Sequence, residues 1–297
     1  MAVRESIKKG ILADFLKKHR AEVKDVILTE YDQEAHIRSE KKAEIQEEKG
    51  AAQYMKLLLI RHGDPDYEKD SLTEKGWREA RCLSERISKM DVKDFYVSPL
   101  GRAKDTASFT LEKMGRQAVE CEWLREFACR IRRPDKPDEK SIAWDWLPQD
   151  WTMDERFYDR NRWAEPEAFQ QGGVQEEYRW VTENFDRLLA EHGYERQGNF
   201  YRVKKANEDT LVFFCHFGLT CVLAAHLLGI SPMVLWHNAI EAPTGITSFV
   251  TEERRRGIAA FRMTSFGDTA HLYVQGEPEA VAGRFCETYD HPGQRHD

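Results

Sequence analysis

The chain reads as an α/β protein: a three-layer sandwich with a mostly parallel central sheet flanked by helices, preceded by an N-terminal helical extension. Three observations predict it. Residues 55–60 (MKLLLI) and 211–215 (LVFFC) are short, unbroken apolar runs, each ending in a polar loop, as central strands covered on both faces do. Between and beyond them, apolar residues recur at steps of three and four. Strand-like and helix-like stretches alternate, the order of βαβ units.

In chain order, residues 1–54 form a charged helical extension or linker. Ile7, Ile11 and Phe15 recur at helical spacing with Leu12 and Leu16 alongside, and Gly50 is the expected stop. The segment KKGILADFLKKHRAEVKDVILTEY resembles the charged C-terminal tails of a bacterial family of transposase-like nucleases. Only a tail is matched, so no nuclease activity is carried over. The extension is either a dispensable appendage or a helix for assembly, which leaves a homodimer as an expectation. Residues 55–290 form the main domain, with 291–297 a tail.

Within that domain the stripe Trp77, Ala80, Leu83, Ile87 and Met90 predicts a helix with Thr73 as N-cap. A short strand at 95–97 precedes a helix over 102–114. Residues 129–172 interrupt the rhythm with Pro134, Pro137, Pro148 and Pro166, and with Trp144, Trp146, Trp151 and Trp163. This insertion reads as irregular or short-helical, its aromatics either capping a pocket or covering the sheet. Residues 173–192 form another helix. Residues 217–228 are apolar nearly all round, so that helix is buried and stops at Gly229. Residues 246–251 and 258–264 read as a strand pair around a charged turn.

Composition narrows the classes of function. At 297 residues with 41% apolar content the chain can fill a sizeable core, which excludes wholesale disorder. Its 45 basic and 52 acidic residues nearly balance, which argues against a broad electrostatic nucleic-acid binder. No apolar run approaches a membrane span of about 18 residues. The first residues, MAVRESIKKG, lack the apolar core of a signal peptide. Six cysteines show no CxxC pair, so a reduced, cytoplasmic protein without a metal site is expected.

The chemistry gathers at strand ends, where open α/β sheets bind ligands. MKLLLI runs into Arg61-His62-Gly63 and LVFFC into His216-Phe217-Gly218. Gly63 and Gly218 let the backbone turn tightly and approach a ligand. After the 95–97 strand, Arg102 sits at a helix start, where free N–H groups and the dipole favour an anion. Two arginines, two histidines and a helix start on one edge describe a phosphate pocket. Histidine can serve as nucleophile, and phosphoryl transfer asks mainly for positioning and charge. With arginines supplying that charge, neither metal nor cofactor is required.

The segments LLLIRHG, SLTEKGWREA, YVSPLGRAKDTA, FCHFGLTCVLAAHLLG and FGDTAHL, in this order, resemble the histidine phosphatase superfamily, with its phosphoglycerate-mutase-like fold. The resemblance implies that His62 becomes phosphorylated and that Arg61, Arg102 and His216 hold the phosphoryl group. It also implies a carboxylic proton donor, for which Glu126, after Trp123-Leu124-Arg125, is the candidate. The alternative for Glu126 is a salt bridge with Arg125 or Arg130. Two departures weaken a mutase assignment. Asp64-Pro65-Asp66-Tyr67-Glu68 replaces the serine-rich, asparagine-ending segment after RHG, and FACRIRRPD lacks a glycine-tryptophan-glutamate text. Asp64, Asp66 and Tyr67 either line the pocket mouth or form a plain turn. Arg130, Arg132, Arg133 and Lys136 either recognise a second anion or are solvated. The expectation is a phosphomonoesterase acting on a small phosphorylated metabolite, with a phosphoglycerate-type mutase and a non-catalytic phospho-ligand binder as alternatives.

Overall fold

The computed structural model describes residues 54–282. The N-terminal extension, residues 283–290 and the 291–297 tail lie outside the described residues. In chain order, the unit that starts at Tyr54 opens with strands β1 (Lys56–Arg61), β2 (Pro65–Asp66) and β3 (Ser71–Leu72) and helix α1 (Glu74–Ile87). Strand β4 (Asp94–Val97), helix α2 (Gly101–Met114) and strand β5 (Val119–Glu120) follow. The insertion holds β6 (Arg130–Arg133), β7 (Lys136–Ile142), α3 (Pro148–Trp151) and α4 (Glu167–Gln171). Then come α5 (Val174–Glu191), β8 (Tyr194–Gln197), β9 (Phe200–Val203), β10 (Thr210–Cys215), α6 (Phe217–Leu228) and α7 (Pro232–Asn238). The described chain ends with β11 (Ile246–Arg255), β12 (Ile258–Asp268) and α8 (Ala270–Gln275).

The main sheet has the order β5-β4-β10-β1-β11-β12-β9-β8. From β5 to β1 every pair is parallel. From β1 outward every pair is antiparallel. The sheet is therefore mixed, and its parallel part carries the strand ends of interest.

Strand β1 shows why its run is continuous. Leu58 and Ile60 join Leu83 and Ile87 of α1 and Ala103 and Ala107 of α2 on one face. Leu57 and Leu59 join Val181 and Phe185 of α5 and Leu219 and Val222 of α6 on the other. Both faces are dry, so alternation has no solvent side to mark. Each such side chain contributes about 1.5–3 kcal/mol of burial. Thr73 caps α1 as expected, its hydroxyl oxygen accepting from the Gly76 N–H, a bond worth ~1 kcal/mol.

The insertion is more ordered than its prolines suggest. Its first part is a two-stranded hairpin, β6 with β7. Trp146, Trp151 and Trp163 are buried with Phe157 and Phe169, and Trp163 packs edge-on against Phe169, Tyr178 and Trp236. These tryptophans pack on α5 through Tyr178 and on α7 through Trp236 and His237. The late strand pair is present and longer than its apolar text. A further hairpin, β8 with β9, widens the sheet. Among the described residues no helix is long and apolar enough to cross a membrane.

Candidate active site

The parallel register delivers the two histidines side by side. Ile60 faces Phe214 and Arg61 faces Cys215, so His62 and His216 leave adjacent strands at the same level. Their rings lie 5.1 Å apart. The backbone here is pinned on both sides. The His62 N–H donates to Cys215 O at 3.0 Å, Arg61 N–H to Gly245 O at 3.1 Å, and Thr244 N–H to His62 O at 3.1 Å.

His62 Nδ1 lies 2.7 Å from the Gly63 carbonyl. A carbonyl only accepts, so the ring proton sits on Nδ1 and Nε2 keeps its lone pair. Burial, then the charges of Arg61 and Arg102, hold the His62 pKa well below the usual range. The ring is therefore neutral at neutral pH. His216 is held down in the same way, by burial, His62 and both arginines. Its Nε2 is 2.8 Å from Ser98 Oγ, which also accepts from the Leu100 N–H.

Arg61 is buried, its Nη1 donating to the carbonyls of Glu241 and Ala282, and its guanidinium stacks over Phe217 at 5.8 Å. Arg102 pairs with Asp70 at 2.6 Å and sits 5.4 Å from the ring of Tyr67. Three buried polar nitrogens here have no protein partner: Arg61 Nε, Arg102 Nε and His216 Nδ1. Buried donors left unpaired are costly, so their convergence marks a place for an acceptor.

Glu126 approaches from the loop after β5. Its Oε1 accepts from the N–H groups of Phe127 at 2.8 Å and Leu219 at 3.0 Å, and Oε2 from Gly218 N–H at a long 3.4 Å. Burial raises its pKa, opposed by these donors and by Arg102 and Arg61. Oε2, the less committed oxygen, is the one able to carry a proton. The salt bridge offered as its alternative goes elsewhere: Arg125 pairs with Glu177 at 2.9 Å and Glu122 at 3.3 Å.

The structure adds detail to several expectations. Of the N–H groups at the Arg102 helix start, that of Gly101 is engaged, donating to Asp70 Oδ2 at 2.6 Å. Gly63 is needed for packing: a Cβ there would meet Gly76 O at 2.9 Å, and its N–H donates to Thr106 Oγ1. Gly218 is confined by Glu126 and Trp144, and its N–H faces Glu126. The basic group at 130–136 is dispersed. Arg133 is buried, donating to the carbonyls of Trp144 at 2.9 Å and Asp145 at 2.7 Å, whereas Arg130 and Arg132 are exposed. Asp64 ties to Thr73 and Glu79, and Asp66 to Lys69, so of that loop Tyr67 alone is placed against Arg102.

Asp70, Ser98 and Glu241 are not among the residues the sequence singles out, and Trp144 figures there only as one of the insertion's aromatics. Trp144 donates its indole N–H to Phe127 O at 2.9 Å and packs edge-on to Phe217, walling the side of Glu126. Only Ser98 had a signal, its place at a strand end before a helix. Among the described residues no group of three or more His, Cys, Asp or Glu is arranged to hold a metal ion.

Two histidines and two arginines at parallel strand ends, with a carboxyl beside them, define a site suited to a phosphoryl group. Comparison with known proteins agrees. Residues 57–264 match the family model of the histidine phosphatase superfamily, branch 1, and the chain belongs to that superfamily. A stretch of 92 residues is 33% identical to the 2,3-bisphosphoglycerate-dependent phosphoglycerate mutase of Thermoplasma acidophilum, covering 28% of this chain and 46% of that relative. The chain thus spans less than half the length of the curated relative it matches. Among solved structures, a phosphoserine phosphatase variant of Entamoeba histolytica bound to phosphoserine is similar at 22% identity and a TM-score of 0.48, covering 73% of this chain and 99% of that one. A mycobacterial glucosyl-3-phosphoglycerate phosphatase is similar at 17% identity and a TM-score of 0.45, covering 72% and 99%.

Proposed function

We propose that the protein is a phosphomonoesterase that works through a phosphohistidine on His62 and acts on a small phosphorylated metabolite. The observation that carries this reading is the convergence of three unpartnered buried nitrogens, on Arg61, Arg102 and His216, around a neutral His62 whose Nε2 is free. They can meet phosphoryl oxygens and the charge that develops on them. In the first step Nε2 attacks phosphorus, the ester P–O bond breaks, and Glu126 gives its proton to the leaving alkoxide. In the second, water attacks phosphorus, Glu126 takes the water's proton, the P–N bond breaks, and phosphate leaves. Burial favours the protonated acid that the first role needs, and the dianionic substrate adds to that effect. The hydroxyl of Ser98 can donate to His216 Nε2, which places the His216 ring proton on Nδ1, toward the phosphoryl group.

A phosphatase is favoured over a mutase by the cations present. Among the described residues, Arg61 and Arg102 are the cations whose charge bears on His62, His216 and Glu126, which suits a single phosphoryl group. A bisphosphate cofactor would ask for more. The test is phosphate release from sugar phosphates, phosphoglycerates, nucleotides and p-nitrophenyl phosphate in excess EDTA, for the parent and for His62→Ala. Release by the parent and none by the variant is expected. No release from any ester by the parent refutes the proposal.

A further inference from the structure

Beside Arg61 lies a residue whose carboxyl the two-step reaction does not use. Glu241 is 1% exposed, and its backbone carbonyl is the acceptor for Arg61 Nη1. Its Oε1 accepts from Thr247 Oγ1 at 2.7 Å, Oε2 is buried, and Thr220 also bears on the carboxyl. The side chain is confined by two glycines. A Cβ on Gly245 would lie 2.9 Å from Glu241 Cγ, and one on Gly267 would lie 3.2 Å from Glu241 Cα. Gly267 also needs its freedom for φ +64°, which side chains with a Cβ rarely adopt. The carbonyl of Gly245 in turn holds the Arg61 N–H. The 241–247 loop is thus built around this carboxyl and holds Arg61 by its guanidinium and by its backbone.

We propose that Glu241 is a positioning residue: its loop anchors the Arg61 guanidinium, and its carboxyl, uncharged when protonated, leaves that cation's charge to the bound phosphoryl group. The proposal rests on the phosphatase reading of the site. The groups that bear on Glu241 are Arg61 of β1, Cys215 of β10, Thr220 and Cys221 of α6, Thr247 of β11, and Glu126. Burial, with a smaller push from Glu126, lifts the Glu241 pKa to about 8, against the pull of Thr247, Arg61 and Thr220. Below that pH the acid is neutral and Arg61 acts at full charge. Above it, a buried carboxylate offsets part of the Arg61 charge and repels the phosphate dianion. Phosphate binding therefore favours the protonated acid, and the two events are linked.

The experiment is isothermal titration calorimetry of inorganic phosphate into the full chain from pH 6.5 to 9.5, for the parent, Glu241→Gln and Thr247→Val. Gln keeps the volume and the neutral state of the protonated acid. The parent's affinity is expected to fall roughly tenfold between pH 8 and 9.5, while Glu241→Gln keeps at pH 9.5 the affinity it has at pH 6.5. Thr247→Val removes a donor to the carboxylate and should move the parent's fall to higher pH. If Glu241→Gln fails to fold, the Thr247→Val shift decides the matter. A Glu241→Gln protein that loses affinity in parallel with the parent overturns the proposal, as does a Thr247→Val curve superimposable on the parent's. Calorimetry needs no turnover. A parent that binds phosphate with the expected pH dependence but hydrolyses no ester would refute the phosphatase reading while supporting the role of Glu241.

Discussion

Gly218→Ala asks whether Glu126 must stay where it is. In a helix an alanine is favoured over glycine by about 1 kcal/mol, so on propensity alone the substitution should stabilise α6. The surroundings say otherwise. A Cβ at 218 would lie 2.8 Å from Glu126 Oε1 and 2.7 Å from Trp144 Nε1, where ordinary contact begins at 3.4 Å. Both side chains must retreat by roughly half an ångström or more, and a displacement of about 1 Å in an active site can cost ~100-fold in rate. The propensity gain and the local crowding should nearly cancel in stability, leaving the melting temperature within about 3 °C of the parent. The kcat/KM for an alkyl phosphate, whose leaving alkoxide needs a proton, should drop roughly 10- to 100-fold. For p-nitrophenyl phosphate, whose leaving group departs as an anion, the drop should be clearly smaller. The assay is initial rates on both esters beside a thermal melt. Equal losses on the two esters, or no loss on either, would refute the placement of Glu126 as proton donor.

Other outcomes follow from the same structure. Trp163→Ala empties a fully buried site among Phe169, Tyr178 and Trp236 and should cost about 3–5 kcal/mol, read as a melting point lower by roughly 10 °C. Arg133→Met strands the carbonyls of Trp144 and Asp145, so it should lower stability and, through Trp144, also kcat for alkyl esters; unchanged kinetics would separate Trp144 from the site. Burial raises the Glu79 pKa from 4.5 to about 7, so the folded state holds a proton that the unfolded chain releases. That contribution is complete below pH 4.5 and is lost as pH rises through about 7. Glu79→Gln should therefore gain on the parent by about 2–3 kcal/mol between pH 4.5 and 7.5 in urea denaturation, and a constant difference would contradict it.

What the sequence made legible has a physical basis. MKLLLI and LVFFC announced themselves because strands covered on both faces have no polar positions. The histidines that follow them could then be placed on one edge by topology alone. The β6–β7 hairpin was hidden because most of its residues are exposed and charged, so no apolar alternation marks it. The β8–β9 hairpin did leave a mark, the Gly198-Asn199 pair between strand-like stretches, which is a turn signal. The basic run at 130–136 left two readings open because sequence counts charge but not direction: one strand turns Arg133 inward and its neighbours out. Glu241 was illegible for a different reason. Its role depends on glycines at 245 and 267 meeting across two strands, and no local pattern encodes that meeting. Asp70 and Arg102 likewise lie far apart in the chain and are joined only by the fold.

The backbone pinning of Arg61 and His62 has a consequence for how this protein fails. The amide of His62 bonds to one neighbouring strand and its carbonyl reaches toward the other, in the middle of the sheet. No partial opening at a sheet edge or in the insertion frees that amide, so its exchange with deuterated solvent should proceed through opening of the whole domain. The nucleophile and the core then share one cooperative unit. Warming should not yield a folded but idle population; the loss of turnover and the melting of the sheet should trace the same curve.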